Sequence, residues 1–150
     1  RDGKIVISGS SSDDFLLTCH DNSGGCATFA CPEPHGHWKN NPSTWPADTL
    51  TLGGKAYAKS ELLALLKVST QTDASVILAR QLIAAKLNIE SGSDPAPVNS
   101  TITDAVSLLS GYAGKLPYKV KPSSASGQAM SAYSSVLGNY NNGLLTPTCQ

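Results

Sequence analysis

Four cysteines constrain this chain more than any other feature of its sequence. Three lie near the start and the fourth is the penultimate residue, at positions Cys19, Cys26, Cys31 and Cys149. Four cysteines allow three disulfide pairings, and a bond from the first group to the last cysteine would close most of the chain into a loop. Zinc sites usually carry two matched pairs of closely spaced ligands, and these intervals supply no second pair. We therefore predict two disulfides and an oxidising, extracellular environment.

The composition argues against several classes of function. The chain has 150 residues, with eleven basic and eleven acidic side chains, so its net charge is zero. A neutral chain lacks the positive surface that attracts nucleic acids, and no apolar run approaches the length of a bilayer span. Because the chain begins at Arg1 and its only methionine is Met130, we expect a processed, secreted or cell-surface protein.

Hydrophobic periodicity predicts a mainly α fold. Apolar residues recur at helical spacing in four segments, which cover about residues 60–68, 73–90, 98–110 and 129–140. The second segment carries apolar residues on two faces, so it must contact neighbours on both sides and form the centre of the fold. Polar side chains, including Gln81 and Asn88, fall between those faces.

The first third of the chain has a different pattern. Residues 48–58 alternate on both sides of Gly53-Gly54, which predicts a β-hairpin, and Lys4–Ser8 and Phe15–Cys19 read as short strands. Residues 20–47 are rich in Gly, Pro and Asn, and we expect them to be irregular. The fold prediction is a small four-helix bundle with a disulfide-stapled, β-hairpin-containing N-terminal third, and an α+β fold is the alternative. The predicted organisation is an N-terminal extension over 1–30 and a disulfide-closed helical domain over 31–150.

The segment between Cys31 and Pro46 carries a particular motif, C-x4-G-H-W-K-N-N-P-x-x-W-P. It resembles a domain of secreted and cell-surface proteins of bacteria, whose motif is a cysteine followed by G-aromatic-W-K-N-H-P-x-x-W-P. This chain departs from that pattern twice, because His37 replaces the aromatic residue and Asn41 replaces the histidine. Later blocks of the resemblance follow in the same order, at residues 50–66, 79–89 and 141–149.

The resemblance has two implications. It implies that Cys31 pairs with Cys149, which leaves Cys19 to pair with Cys26. It also implies that the protein is extracellular. The family has no established function, so the resemblance assigns no catalytic residue.

Our leading functional hypothesis is a non-catalytic structural protein that associates with itself. Ile5, Val6 and Ile7 form an apolar, β-branched run, and the rest of the domain offers few strands to pair with it. Such a segment can add as a strand to a neighbouring subunit. Because head-to-tail addition repeats without closing, this contact would build a filament or a surface layer.

Two alternatives use other residues. Trp38, Trp45 and Tyr57 could stack on sugar rings and make the chain a carbohydrate- or surface-binding module, although the tryptophans could equally anchor a loop in the core. The histidines could form a metal site, and in the remotest alternative the chain is a small metallohydrolase with ligands His20, His35 and His37.

The sequence gives no positive sign of an enzyme. It lacks a nucleophile elbow and a calcium loop with regular spacing, and it indicates no cofactor. Asn99 begins an Asn-Ser-Thr acceptor pattern for glycosylation.

Overall fold

The computed structural model describes residues 29–68, 72–146 and 149. Within these ranges the regular structure is helical apart from one hairpin, which confirms the prediction of a mainly α fold with a β-hairpin. None of the described helices combines the length and the apolar character that crossing a membrane requires. The elements in chain order are α1 (His35–Asn40), a 3-10 helix (Pro42–Thr44), β1 (Thr49–Leu52), β2 (Lys55–Ala58), α2 (Lys59–Lys67), α3 (Ala74–Glu90), α4 (Asn99–Ser110) and α5 (Ala125–Asn141).

Helix α3 lies at the centre of the fold. It contacts all four other helices and β1, and it packs most extensively against α5. Its N-terminus is capped by Asp73, whose carboxylate accepts a hydrogen bond from the Ser75 N–H at 3.0 Å. The helix ends at Glu90, two residues before Gly92, which has a φ of +106°. The two apolar faces are buried as the periodicity predicts, by the side chains of Val76, Leu78, Ala79, Leu82, Ile83, Ala85 and Leu87.

Strands β1 and β2 form the predicted hairpin. Gly53 and Gly54 occupy the turn with φ values of +59° and +81°, which side-chain-bearing residues rarely adopt. The register pairs Leu52 with Lys55 and Leu50 with Tyr57. Leu50, Leu52 and Tyr57 face the core, and the hairpin packs against α2, α3 and α4.

The prediction of an irregular segment over 20–47 is wrong for part of its described residues. Residues 35–40 form α1, and a 3-10 helix follows at once. A six-residue helix is too short to be stable alone, so tertiary contacts must hold it. Trp38, which is only 4% exposed, provides that contact by packing α1 into the core. The strands predicted for Lys4–Ser8 and Phe15–Cys19 lie outside the described residues.

A disulfide joins Cys31 to Cys149, as the resemblance implies. The bond spans a sequence separation of 118, and the two Cα atoms are 5.6 Å apart. It ties the chain just before α1 to the chain just after α5. The predicted boundary between an extension and a domain at residue 30 remains a prediction, and so does the pairing of Cys19 with Cys26, which lie outside the described residues.

At the start of α5, Gly127 lies too close to the backbone of residues 121–122 for any other residue to fit there without a shift. A Cβ atom at Gly127 would collide with the Lys121 carbonyl oxygen and would lie 2.8 Å from the Pro122 Cα. Because both obstacles are backbone atoms, neither can rotate away. We expect Gly127→Ala to lower the free energy of unfolding, measured by urea denaturation, by about 2–3 kcal/mol.

Gly36→Ala is the matched control for this substitution. Gly36 lies in α1, and apart from its chain neighbours and the backbone of its own helix no atom lies within 4 Å of the added methyl group. We expect this variant to gain about 0.5–1 kcal/mol, because alanine loses less backbone entropy in a helix. A Gly127→Ala protein as stable as the wild type would contradict the close approach of the two segments.

Candidate functional site

The tryptophan segment, residues 31–46, is the most distinctive part of the sequence, and the structure anchors it in the core. Trp38 and Trp45 are 4% and 8% exposed. The Trp45 indole N–H donates to the Trp38 carbonyl oxygen at 2.8 Å. The Trp38 indole N–H donates to Asn88 Oδ1 at 3.0 Å. Both indoles therefore combine a buried ring with a satisfied donor, which is the arrangement that buried tryptophan favours.

Asn88 is the centre of a hydrogen-bond network that attaches this segment to α3. The side chain is 1% exposed. Its Oδ1 atom accepts from the Glu33 backbone N–H at 2.8 Å as well as from Trp38. Its Nδ2 group donates to the Glu33 carbonyl oxygen at 2.9 Å and to Asn141 Oδ1 at 3.0 Å. An asparagine amide has two donors and two acceptor lone pairs, so Asn88 uses its full capacity.

The network continues across α5 to α1. Asn141 Nδ2 donates to the Gln81 carbonyl oxygen at 3.0 Å and to Gln81 Oε1 at 2.9 Å. Gln81 Nε2 lies 3.3 Å from His35 Nδ1. Burial lowers the pKa of His35, and the positive charges of Arg80 and Lys39 lower it further. A neutral imidazole can accept at Nδ1, whereas an imidazolium cannot, so the contact and the pKa favour the same protonation state.

The lowered pKa of His35 predicts a pH dependence of stability. The unfolded chain binds the proton on His35 more readily than the folded protein does. The contribution of His35 to the free energy of unfolding is therefore complete above its ordinary pKa of 6.5 and is lost as the pH falls below that value. We expect the urea midpoint of the wild type to fall between about pH 7.5 and about pH 5. His35→Gln should show a smaller fall over the same interval. An equal fall in the two proteins would contradict the assignment.

A small cavity of about 270 Å³ lies beside the tryptophan segment. His37 Nδ1 is 3.7 Å from Glu33 Oε1 at this cavity, and the imidazole packs edge-on against the Trp38 ring with centroids 5.0 Å apart. Asn41 donates from Nδ2 to the His37 carbonyl oxygen at 2.8 Å. The cavity is lined by Ala30, Cys31, Glu33, His37, Trp38, Asn41, Thr44, Asn88 and Ser91.

The aromatic residues proposed for sugar binding are core residues. Tyr57 is 2% exposed, and its hydroxyl accepts a hydrogen bond from the Leu116 N–H at 2.9 Å. Trp38 and Trp45 are buried in the same way, and stacking on a sugar requires an exposed ring face. The three rings therefore do not provide the exposed surface that the carbohydrate-binding alternative needs.

Two of the three histidines of the metal hypothesis are described, and they have separate partners. His35 faces Gln81, and His37 faces Glu33. Over residues 29–68, 72–146 and 149, no group of three His, Cys, Asp or Glu side chains is placed to hold a metal ion. His20 lies outside these ranges, as do Ile5, Val6 and Ile7.

Asn99, the predicted glycosylation site, is exposed at the first position of α4. Its carbonyl oxygen accepts a hydrogen bond from Thr103 Oγ1 at 3.0 Å. The modification itself remains a prediction from the acceptor pattern.

Sequence reasoning did not identify Asn88 and Asn141 as the link between the tryptophan segment and the helices. One signal was present, because Asn88 follows Gln81 by seven residues and so lies on the same face two turns along α3. That face lies between two apolar ones, and a buried amide there requires partners.

Comparisons of the chain with family models, with curated proteins and with solved structures found no match.

Proposed function

We propose that the chain is a non-catalytic, extracellular structural protein that assembles with copies of itself. The observation that carries this proposal is the anchoring of the tryptophan segment. The Trp38 indole and the Glu33 backbone form hydrogen bonds with the Asn88 side chain. The Trp45 indole donates a hydrogen bond to the Trp38 carbonyl oxygen. The segment therefore braces the domain, and its aromatic rings face the interior.

The disulfide supports an extracellular, mechanically stable role. Disulfides persist in oxidising compartments, so the Cys31–Cys149 bond is compatible with a protein outside the cell. The resemblance of the tryptophan segment to bacterial surface proteins points in the same direction. Secretion and bacterial origin are part of the proposal.

The attachment of the N-terminal segment fits a role in assembly. The Ala30 N–H donates to the Gly92 carbonyl oxygen at 3.0 Å, and Cys31 is bonded covalently to Cys149. A force applied to the residues before Ala30 would therefore be transmitted to the domain at two places, the Ala30–Gly92 hydrogen bond and the disulfide. We propose that Ile5, Val6 and Ile7 make the contact between subunits.

Sedimentation velocity tests this function directly. We expect the full chain to form species many times larger than the monomer, because apolar strand addition repeats from copy to copy. A chain that lacks residues 1–8 should sediment as a monomer. Monomers from both proteins at all concentrations would contradict the proposal.

A further inference from the structure

The outer edge of β1 carries backbone groups that the fold leaves unbonded. The two-glycine turn places Leu52 and Lys55 at the positions that share the turn hydrogen bond. Because hydrogen-bonded and non-hydrogen-bonded pairs alternate in an antiparallel ladder, the N–H and C=O groups of Thr49 and Thr51 point away from β2. Both threonines are exposed, and no hydrogen bond to either backbone occurs on that side among the described residues. An edge of this kind is a template for another strand.

A cleft of about 550 Å³ runs beside this edge. It is bounded by β1 on one side and by the end of α3 and the start of α4 on the other. Its apolar surface comes from Leu50, Ile89, Pro95 and Ile102, and its charged groups are Lys86 and Glu90; Thr49, Thr51 and Asn99 complete the lining. The cleft therefore combines free backbone groups with an apolar floor.

The N-terminal segment joins the domain at the C-terminal end of α3, the end that also borders the cleft. The Ala30 N–H donates a hydrogen bond to the carbonyl oxygen of Gly92. Glu90, two residues before Gly92, lines the cleft. About twenty residues separate Ser8 from the start of the described chain, and an extended chain spans at most ~3.3–3.6 Å per residue. The segment can therefore reach a neighbouring subunit.

We propose that the cleft binds residues 4–8 of a second copy of this chain, as a third strand on the outer edge of β1. This inference rests on the proposed function and names the surface that receives the assembly segment. In a strand, Ile5 and Ile7 lie on one face and Val6 on the other. With the isoleucines on the core side of the sheet, they cover the floor formed by Ile89 and Ile102. The backbone of the incoming strand bonds to Thr49 and Thr51.

The outer edge of β2 is a poorer acceptor. The Ala58 N–H on that edge already donates to Glu61 Oε1 at 2.9 Å. The apolar floor also lies beside β1, since the cleft is lined by β1 residues and by none from β2. A third strand also adds stability to a two-stranded hairpin, which is marginal by itself.

Hydrogen exchange measured residue by residue, with no substitution in the hairpin, is the first test. We expect the Thr49 and Thr51 amides to exchange at least about tenfold more slowly in the assembled full chain than in the chain lacking residues 1–8, because pairing removes them from water. The Ala56 amide on the β2 edge should exchange at the same rate in both. Equal rates for Thr51 in the two proteins would overturn the inference.

A pair of proline substitutions provides the second test. Thr51→Pro removes an outward N–H, and proline is tolerated on an edge because no hydrogen bond within the hairpin is lost. We expect it to reduce the assembled fraction at least about tenfold, and the matched control Ala56→Pro to change it less than about twofold.

Assembly that persists with Thr51→Pro would overturn the inference and leave the proposed function standing. Absence of assembly in the wild type would overturn the proposed function itself. A monomer in which residues 1–8 protect Thr51 would show pairing within one chain and overturn the assignment to a second copy.

Discussion

Replacing Cys31 and Cys149 by serine is expected to lower the free energy of unfolding by about 4–5 kcal/mol. The crosslink restricts the unfolded chain over a separation of 118 residues, and the entropy that it removes grows with the length of the closed loop. A loss of this size is comparable with the whole stability of many domains. Urea denaturation of the double variant beside the oxidised wild type measures the effect.

The second pair of cysteines supplies the matched control. If Cys19 pairs with Cys26, the closed loop is short, and Cys19→Ser with Cys26→Ser should cost only about 2.5 kcal/mol in the same chain-entropy account. The unequal losses would show that loop length determines the contribution of each bond. Equal stability of the wild type and the Cys31→Ser, Cys149→Ser protein would contradict the role given to the long crosslink.

Asn88→Ala is expected to lower the free energy of unfolding by about 3–4 kcal/mol. The substitution removes an amide that makes four hydrogen bonds inside the core. It leaves the Trp38 indole N–H and the Glu33 backbone without these partners, and a buried polar group without a partner costs more than a lost bond at the surface. Tryptophan fluorescence is a direct probe, because Trp38 and Trp45 are the only tryptophans in the chain.

Asn139→Ala controls for the substitution itself. Asn139 is exposed on α5. We expect a change within about 0.5 kcal/mol, the usual range for surface positions. If Asn88→Ala and Asn139→Ala change the stability equally, Asn88 does not hold the tryptophan segment in place.

Features that depend on local periodicity could be predicted from the sequence. The sequence predicts a helix over 73–90, and α3 forms over Ala74–Glu90, because the apolar spacing, the Asp73 cap and the turn at Gly92 agree. The hairpin was predicted for the same reason, since two adjacent glycines define its turn. In both elements the residues that specify the structure are close together in the sequence.

Features that depend on distant contacts could not be predicted. Helix α1 has only six residues and lies in a segment rich in glycine and proline, so its sequence shows no helical pattern. It forms because the Trp38 side chain packs into the core and bonds to Asn88, fifty positions away. The Asn88–Asn141 bond joins residues 53 positions apart. No short window of sequence contains both partners of such a bond, so the candidate site became visible only in the fold.

Negative-stain electron microscopy of the full chain beside a chain lacking Arg1–Ser8 tests the proposal of a self-assembling structural subunit most directly. If the N-terminal strand joins subunits, the full chain will form fibres and the shortened chain will form separate particles. Separate particles from both proteins would contradict the proposal.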